Sequence, residues 1–228
     1  MKRKRSFIRI VGYGLLATMA ISYGLLIRQS LLATFIAFHL AVCLGIPLID
    51  GWREGTLATH WRIAWGEQSF DTAGLLLGII SGLSMGALAA GGIWLLLHSG
   101  ISISWLHQQL EQWGLRDNWA WFFAIYMIIV NSLLEELFWR GFVQQRLLIS
   151  LTRMKAIFFS NILFALYHLL IGVVLFGWKW GSIVTLVVYG AGLIWAWMKA
   201  RFPSIYPTWI SHLLADAGII AALFLWIY

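Results

Sequence analysis

Asn131-Ser132-Leu133-Leu134-Glu135-Glu136-Leu137-Phe138-Trp139-Arg140-Gly141 closes a long apolar run that begins near Trp119, and it sets two adjacent carboxylates and an arginine inside it. Ionisable groups at membrane depth are costly, so each one there points to a function and a partner. Glu136 and Arg140 are four apart with the glutamate first, the favourable order for an ion pair along a helix. Glu135 is then turned to a neighbouring face without that partner. Asn131, one turn earlier, extends the polar stripe.

Working outward, the 228 residues are 61% hydrophobic and only 11% charged, with a mean hydropathy of +0.82. That excludes a disordered chain and an ordinary soluble domain, and predicts a single all-α integral membrane domain over 1–228. The net charge of +7 does not point to nucleic acid, because the basic residues are scattered between apolar runs instead of forming one stripe. The only cysteine, Cys43, excludes an intrachain disulfide and reads as core packing.

The apolar runs predict a bundle of about seven transmembrane helices. After the basic cluster Met1 to Arg5 the first continues to Ile27, too long for a cleavable signal core, and the second covers Leu31 to Ile49 and is ended by Pro47. Between Asp50 and Asp71, Trp52, Trp61 and Trp65 stand among Arg53, Glu54, Arg62 and Glu67, the composition of a segment anchored in the headgroup region. The third span, Thr72 to Leu97, carries Gly74, Gly78, Gly82 and Gly86, a seam for close helix packing either within the chain or between chains. Ser99 to Asn118, with Trp105 and Trp113, reads as another surface-lying helix. The remaining spans are Trp119 to Arg140, Lys155 to Phe176, Ser182 to Met198 and Thr208 to Tyr228, with Pro203 and Pro207 breaking the last link.

With the N-terminus inside, one side of the membrane receives Lys2, Arg3, Lys4, Arg5, Arg9, Arg53, Arg62, Arg140, Arg146, Arg153, Lys155, Lys199 and Arg201; the other receives Arg28, Arg116 and Lys179. This bias predicts a multi-pass protein of a bacterial-type cell membrane with a cytoplasmic N-terminus.

Three further ionisable groups interrupt the later spans: His168, His212 and Asp216. Counting from a turn at Leu151-Thr152, Glu135 and His168 both lie sixteen residues away, so in antiparallel helices both stand about 24 Å from the turn. The fourth helix must then continue past Arg140 as a stalk into the cytoplasm, which predicts a polar catalytic cavity in the cytoplasmic half. Asn161 shares a face with His168, and Thr208, His212 and Asp216 form one polar face on the last helix. His39, alone on an apolar face, reads as a hydrogen-bonded packing histidine.

A carboxylate beside an imidazole in a low-dielectric cavity can hold and deprotonate a water, and nearby donors can receive the oxyanion formed when that water adds to a peptide carbonyl. The chain lacks a His-Glu-x-x-His zinc helix, a Gly-x-Ser-Gly nucleophile and a Gly-x-Gly-Asp aspartyl motif. Glu135, His168, His212 and Asp216 are also an acceptable zinc donor set, so metal is the alternative to a site expected to need no cofactor. A different class is also open: a bacteriocin immunity factor or small transporter using the pocket for a ligand.

Three motifs stand in order. They are Glu135-Glu136 with Arg140, Phe164-Ala165-Leu166-Tyr167-His168, and His212-Leu213-Leu214-Ala215-Asp216. In these the region from Trp119 to the end resembles the CAAX protease and bacteriocin-processing family of intramembrane endopeptidases. The resemblance implies cleavage of a peptide or lipidated protein at the membrane, either a prenylated CAAX-type protein or a leader peptide. It implies that Glu135 and His168 activate water while His212 and Asp216 form the oxyanion hole. Glu136 and Arg140 complete the first motif, and Phe164 belongs to the second. The best-understood relatives look to have Asn where this chain has Asp216, and an ionised aspartate would repel an oxyanion.

Overall fold

A computed structural model describes residues 2–66 and 71–228; Glu67, expected in the interfacial segment, lies outside the described residues, as do the side chains of the basic residues Lys2 to Arg5. Among the described residues there is no strand, and six helices are long and apolar enough to cross a membrane: α1 Ser6–Ile27, α2 Leu31–Glu54, α4 Thr72–His98, α6 Trp119–Leu148, α7 Arg153–Arg201 and α8 Tyr206–Trp226. Two short helices, α3 Leu57–Trp65 and α5 Ile103–Gln112, lie between them. The protein is an all-α integral membrane protein.

Helix α7 is 49 residues long and is broken at Gly177, where φ 73° and ψ 172° leave the helical region for one that only glycine adopts readily. Its arms, 153–176 and 178–201, fold back on each other. A Cβ on Gly181 would stand 2.5 Å from the Gly172 carbonyl carbon, and the Arg153 guanidinium donates to the Ala200 carbonyl. The arms coincide with the spans expected at Lys155–Phe176 and Ser182–Met198.

The small-residue seam is used within the chain. Gly74, Gly78, Gly82 and Gly86 lie against α8, where a Cβ at Gly78 would meet the Pro207 carbonyl oxygen at 2.5 Å and one at Gly82 the Ser211 carbonyl oxygen at 2.7 Å. Ser81 and Ser211 hydrogen-bond across the seam at 2.9 Å. Close backbone approach of this kind takes the place of a hydrophobic driving force between membrane helices. It also fixes the face of α8 that carries His212.

Two expectations are corrected. Pro47 does not end the second span: α2 runs on to Glu54 and stops at Gly55, φ 65°. The turns just before it, Ile36–Gly45, are wide, with hydrogen bonds reaching five residues instead of four, and the missing Pro47 N–H is accommodated there. Nor does α6 leave the bundle as a stalk. Phe138, Trp139, Phe142, Val143 and Leu147 are all buried, and its polar end is paired inside the protein. Arg146 reaches Asp50 and Glu54, both at 2.7 Å, and Arg9 reaches Glu54 at 2.6 Å, so α1, α2 and α6 are pinned together at this basic end. Gln144 donates to the Ala196 carbonyl at 2.9 Å.

At the opposite end, α5 is joined to the α1–α2 turn. The Leu31 N–H donates to the Trp113 carbonyl at 2.8 Å, and Gln112 donates to Gln29 at 3.0 Å. The His107 and Tyr228 rings meet there, 5.2 Å apart.

Candidate active site

Within α6 the ordinary turn Ser132–Glu136 is held between two wide-turn stretches, Tyr126–Asn131 and Leu137–Val143. Such insertions re-aim the side chains that follow them and recur at functional sites. Here Glu135 and Glu136 are both buried, 4% and 0% exposed, yet they meet different surroundings.

Glu136 is engaged through one oxygen, while its buried Oε2 has no hydrogen-bond partner. Its Oε1 lies 3.1 Å from Arg140 Nη1 and 3.0 Å from His212 Nδ1. The guanidinium is held in turn by the Gly192 carbonyl at 3.3 Å and by the faces of Phe164 and Trp195, at 4.4 and 5.2 Å. A planar, delocalised cation suits this aromatic cradle better than an ammonium. The carboxylate only accepts, so His212 Nδ1 carries the proton and donates to it, and the ring stacks on Trp195 at 4.2 Å. This fixes His212 Nε2 toward Glu135 Oε2 at 3.9 Å and Asp216 Oδ1 at 3.7 Å.

Glu135, unlike Glu136, lines the cavity. Its buried Oε2 has no hydrogen-bond partner, a state that carries a large desolvation penalty unless water or substrate satisfies it. The Tyr167 hydroxyl lies beside this carboxylate. His168 Nδ1 is 3.0 Å from the Phe164 carbonyl, which only accepts, so Nδ1 donates and Nε2 keeps its lone pair. Asp216 accepts from Asn131 Nδ2 at 3.0 Å through its other oxygen.

Asn131, Glu135, Tyr167, His168, His212 and Asp216 line one cavity of about 310 Å³, whose remaining wall is mostly leucine, isoleucine and phenylalanine. His39 also faces it, with Nδ1 2.8 Å from the Tyr126 hydroxyl, the packing hydrogen bond expected of it. Three helices thus bring their polar stripes to one place near the middle of the bundle. Glu135 is sixteen residues from Trp119 and thirteen from Leu148, roughly 24 and 20 Å along α6.

One supporting residue is placed elsewhere. Asn161 donates to the Ile157 carbonyl at 2.8 Å, and a Cβ on Gly192 would stand 2.3 Å from its side-chain oxygen. It packs the two arms of α7 together and is not part of the cavity wall, because the face it shares with His168 turns toward the second arm at that height. Tyr167, Gly192 and Trp195 were not singled out by the sequence. Tyr167 had a signal, being adjacent to His168; the other two act through a carbonyl and a stacking face that no motif marks. Among the described residues, no group of three or more His, Cys, Asp or Glu side chains is arranged to hold a metal ion.

Residues 117–218 match the family model of type II CAAX prenyl endopeptidases, Rce1-like. This is the family that the three motifs resemble, and all three fall within the match. No curated protein and no solved structure matches the chain.

Proposed function

We propose, from the premise that residues 117–218 are a CAAX-protease-family domain, that the protein hydrolyses a peptide bond of a membrane-associated polypeptide with a water activated by Glu135 and His168. The observation that supports this reading is where the two glutamates stand: Glu136 is held through Oε1 by Arg140 and His212 and does not line the cavity, while Glu135 lines it beside His168.

A water between Glu135 and the unprotonated Nε2 of His168 donates one hydrogen to each. As its oxygen attacks the scissile carbonyl carbon, one proton passes to Glu135, which later returns it to the leaving amine when the C–N bond breaks. General acid–base work of this kind contributes about 10²–10⁴-fold. The oxyanion is received by His212. With a carboxylate on each side of its ring, the imidazole can carry both protons and offer Nε2–H to the cavity. Asp216 acts as an acceptor, from Asn131 and toward His212, and so orients the imidazole instead of donating to the oxyanion. Arg140 and Phe164 hold Glu136, and through it His212, in register.

The test is a panel of membrane-delivered peptides, some lipidated at a C-terminal cysteine and some not, offered to the reconstituted protein, with products identified by mass. Cleavage at one bond, lost in Glu135→Gln, is expected. An unchanged product pattern in Glu135→Gln would remove Glu135 from the chemistry, and absence of any product would turn attention to a ligand-binding protein.

A further inference from the structure

Tyr167, next to His168 on α7, is 1% exposed and lines the central cavity. Its ring is boxed by four others: Phe38 of α2 at 5.1 Å, Trp139 of α6 stacked at 6.1 Å, and Phe164 and His168 of α7 at 5.7 and 4.2 Å. Three helices thus fix where the hydroxyl points, because a ring packed on so many sides cannot turn away without moving its neighbours.

This packing accounts for the ring and not for the hydroxyl. A phenylalanine would make the same four ring contacts, and a phenol carried into an apolar interior costs free energy unless its O–H finds an acceptor. The Tyr167 oxygen is buried without a hydrogen-bond partner, and so is Glu135 Oε2. The two side chains stand beside each other. A phenol has a hydrogen to give and an ionised carboxylate only accepts, so each group is what the other lacks.

Among the described residues around Glu135, the other candidate donors are distant or committed. His212 Nε2 is 3.9 Å away and nearer to Asp216, at 3.7 Å. The Arg140 guanidinium is held by Glu136 and the Gly192 carbonyl. His168 spends its Nδ1 hydrogen on the Phe164 carbonyl and keeps a lone pair on Nε2.

We propose that Tyr167 is a positioning residue for Glu135: its hydroxyl donates to the Glu135 carboxylate and sets the angle at which Glu135 and His168 share one water. A charge-assisted hydrogen bond of this kind is short and directional. With its ring against the His168 imidazole, the same side chain also sets the spacing of the two groups that activate the water. The role rests on the hydrolytic reading above; the contact does not.

Tyr167→Phe keeps the ring contacts and removes only the hydroxyl. The reconstituted full chain, its Tyr167→Phe variant and its Glu135→Gln variant, each shown by thermal unfolding to be folded, are compared on one membrane-delivered peptide that the parent cleaves. Tyr167→Phe is expected to lower kcat by on the order of 10²-fold, the cost of a misplaced reacting group, with KM within about twofold of the parent. A kcat within about threefold of the parent, or a loss carried mainly by KM, overturns the role. The contact is read without turnover from the infrared carboxyl band of Glu135, isolated as the difference between spectra with Glu135 and with Glu135→Gln. That band is expected to move when Tyr167→Phe is introduced, and an unmoved band overturns the contact and the role together. A band that moves in a protein whose Glu135→Gln variant cleaves at the parent rate, or that cleaves no peptide, overturns the role through the hydrolytic reading and leaves the contact standing.

Discussion

Replacing Arg140 by leucine probes the network that holds the site. The arginine is 1% exposed and faces a glutamate that is 0% exposed at 3.1 Å, so its removal strands a negative charge in the bundle interior. Breaking a buried pair from one side costs about 3–5 kcal/mol. The guanidinium also lies over Phe164 at 4.4 Å, a desolvated cation–π contact of about 2 kcal/mol. Because one group makes both contacts, the contributions overlap, and Arg140→Leu is expected to lose about 4–6 kcal/mol. At about 2–4 °C per kcal/mol for a chain of this size, the thermal midpoint should fall by on the order of 10–20 °C. The double variant Glu136→Gln with Arg140→Leu removes the stranded charge and should recover about 2 kcal/mol or more of that loss. It should still be impaired, because the neutral amide of Glu136→Gln accepts from His212 more weakly than a carboxylate and no guanidinium holds it in register. The assay is thermal unfolding of the parent, both single variants and the double variant in one lipid composition. An Arg140→Leu protein within about 1 kcal/mol of the parent, or a double variant less stable than Arg140→Leu alone, would refute the reasoning.

Asp216→Asn should retain activity within about tenfold, because an amide oxygen can still accept from Asn131, whereas Asp216→Leu should lose about 10²-fold or more; initial rates on one substrate decide between them. Gly78→Val in the α4–α8 seam forces side-chain atoms into the space of the Pro207 carbonyl oxygen, which would stand only 2.5 Å from a Cβ at that position, so it should destabilise by about 1–3 kcal/mol and reduce cleavage, read by thermal unfolding and rate together. Lys199→Met removes the ammonium that holds α3 by its Ile63 carbonyl, and limited proteolysis should then cut near residues 55–66 faster than in the parent while the bundle stays intact. A chelator should leave the rate unchanged.

How much of this was legible beforehand depended on whether a feature is local. The Glu136–Arg140 pair could be read from spacing, because neighbours four apart on a helix meet whatever surrounds them. Equal counts from the α6–α7 turn placed Glu135 and His168 at one height, and both line the same cavity. Asn161 shows where that logic stops: its helix face was right, but the arm packed against that face could not be known. The same holds for the end of α6, whose polar residues Gln144 and Arg146 suggested water and instead find Ala196 and Asp50. Residue counting gives a height along a helix. It does not say what packs beside that height, as the buried side chains of Phe138, Trp139, Phe142 and Leu147 show.

The measurement that bears most directly on the central claim is the cleavage rate of the reconstituted protein and its Glu135→Gln variant, each shown by thermal unfolding to be folded, with and without chelator. Loss of at least about 10²-fold in the variant, equal stability and indifference to chelator are the expected results. A folded Glu135→Gln protein that cleaves at the parent rate, or a parent silenced by chelator, would contradict water activation by Glu135 and His168.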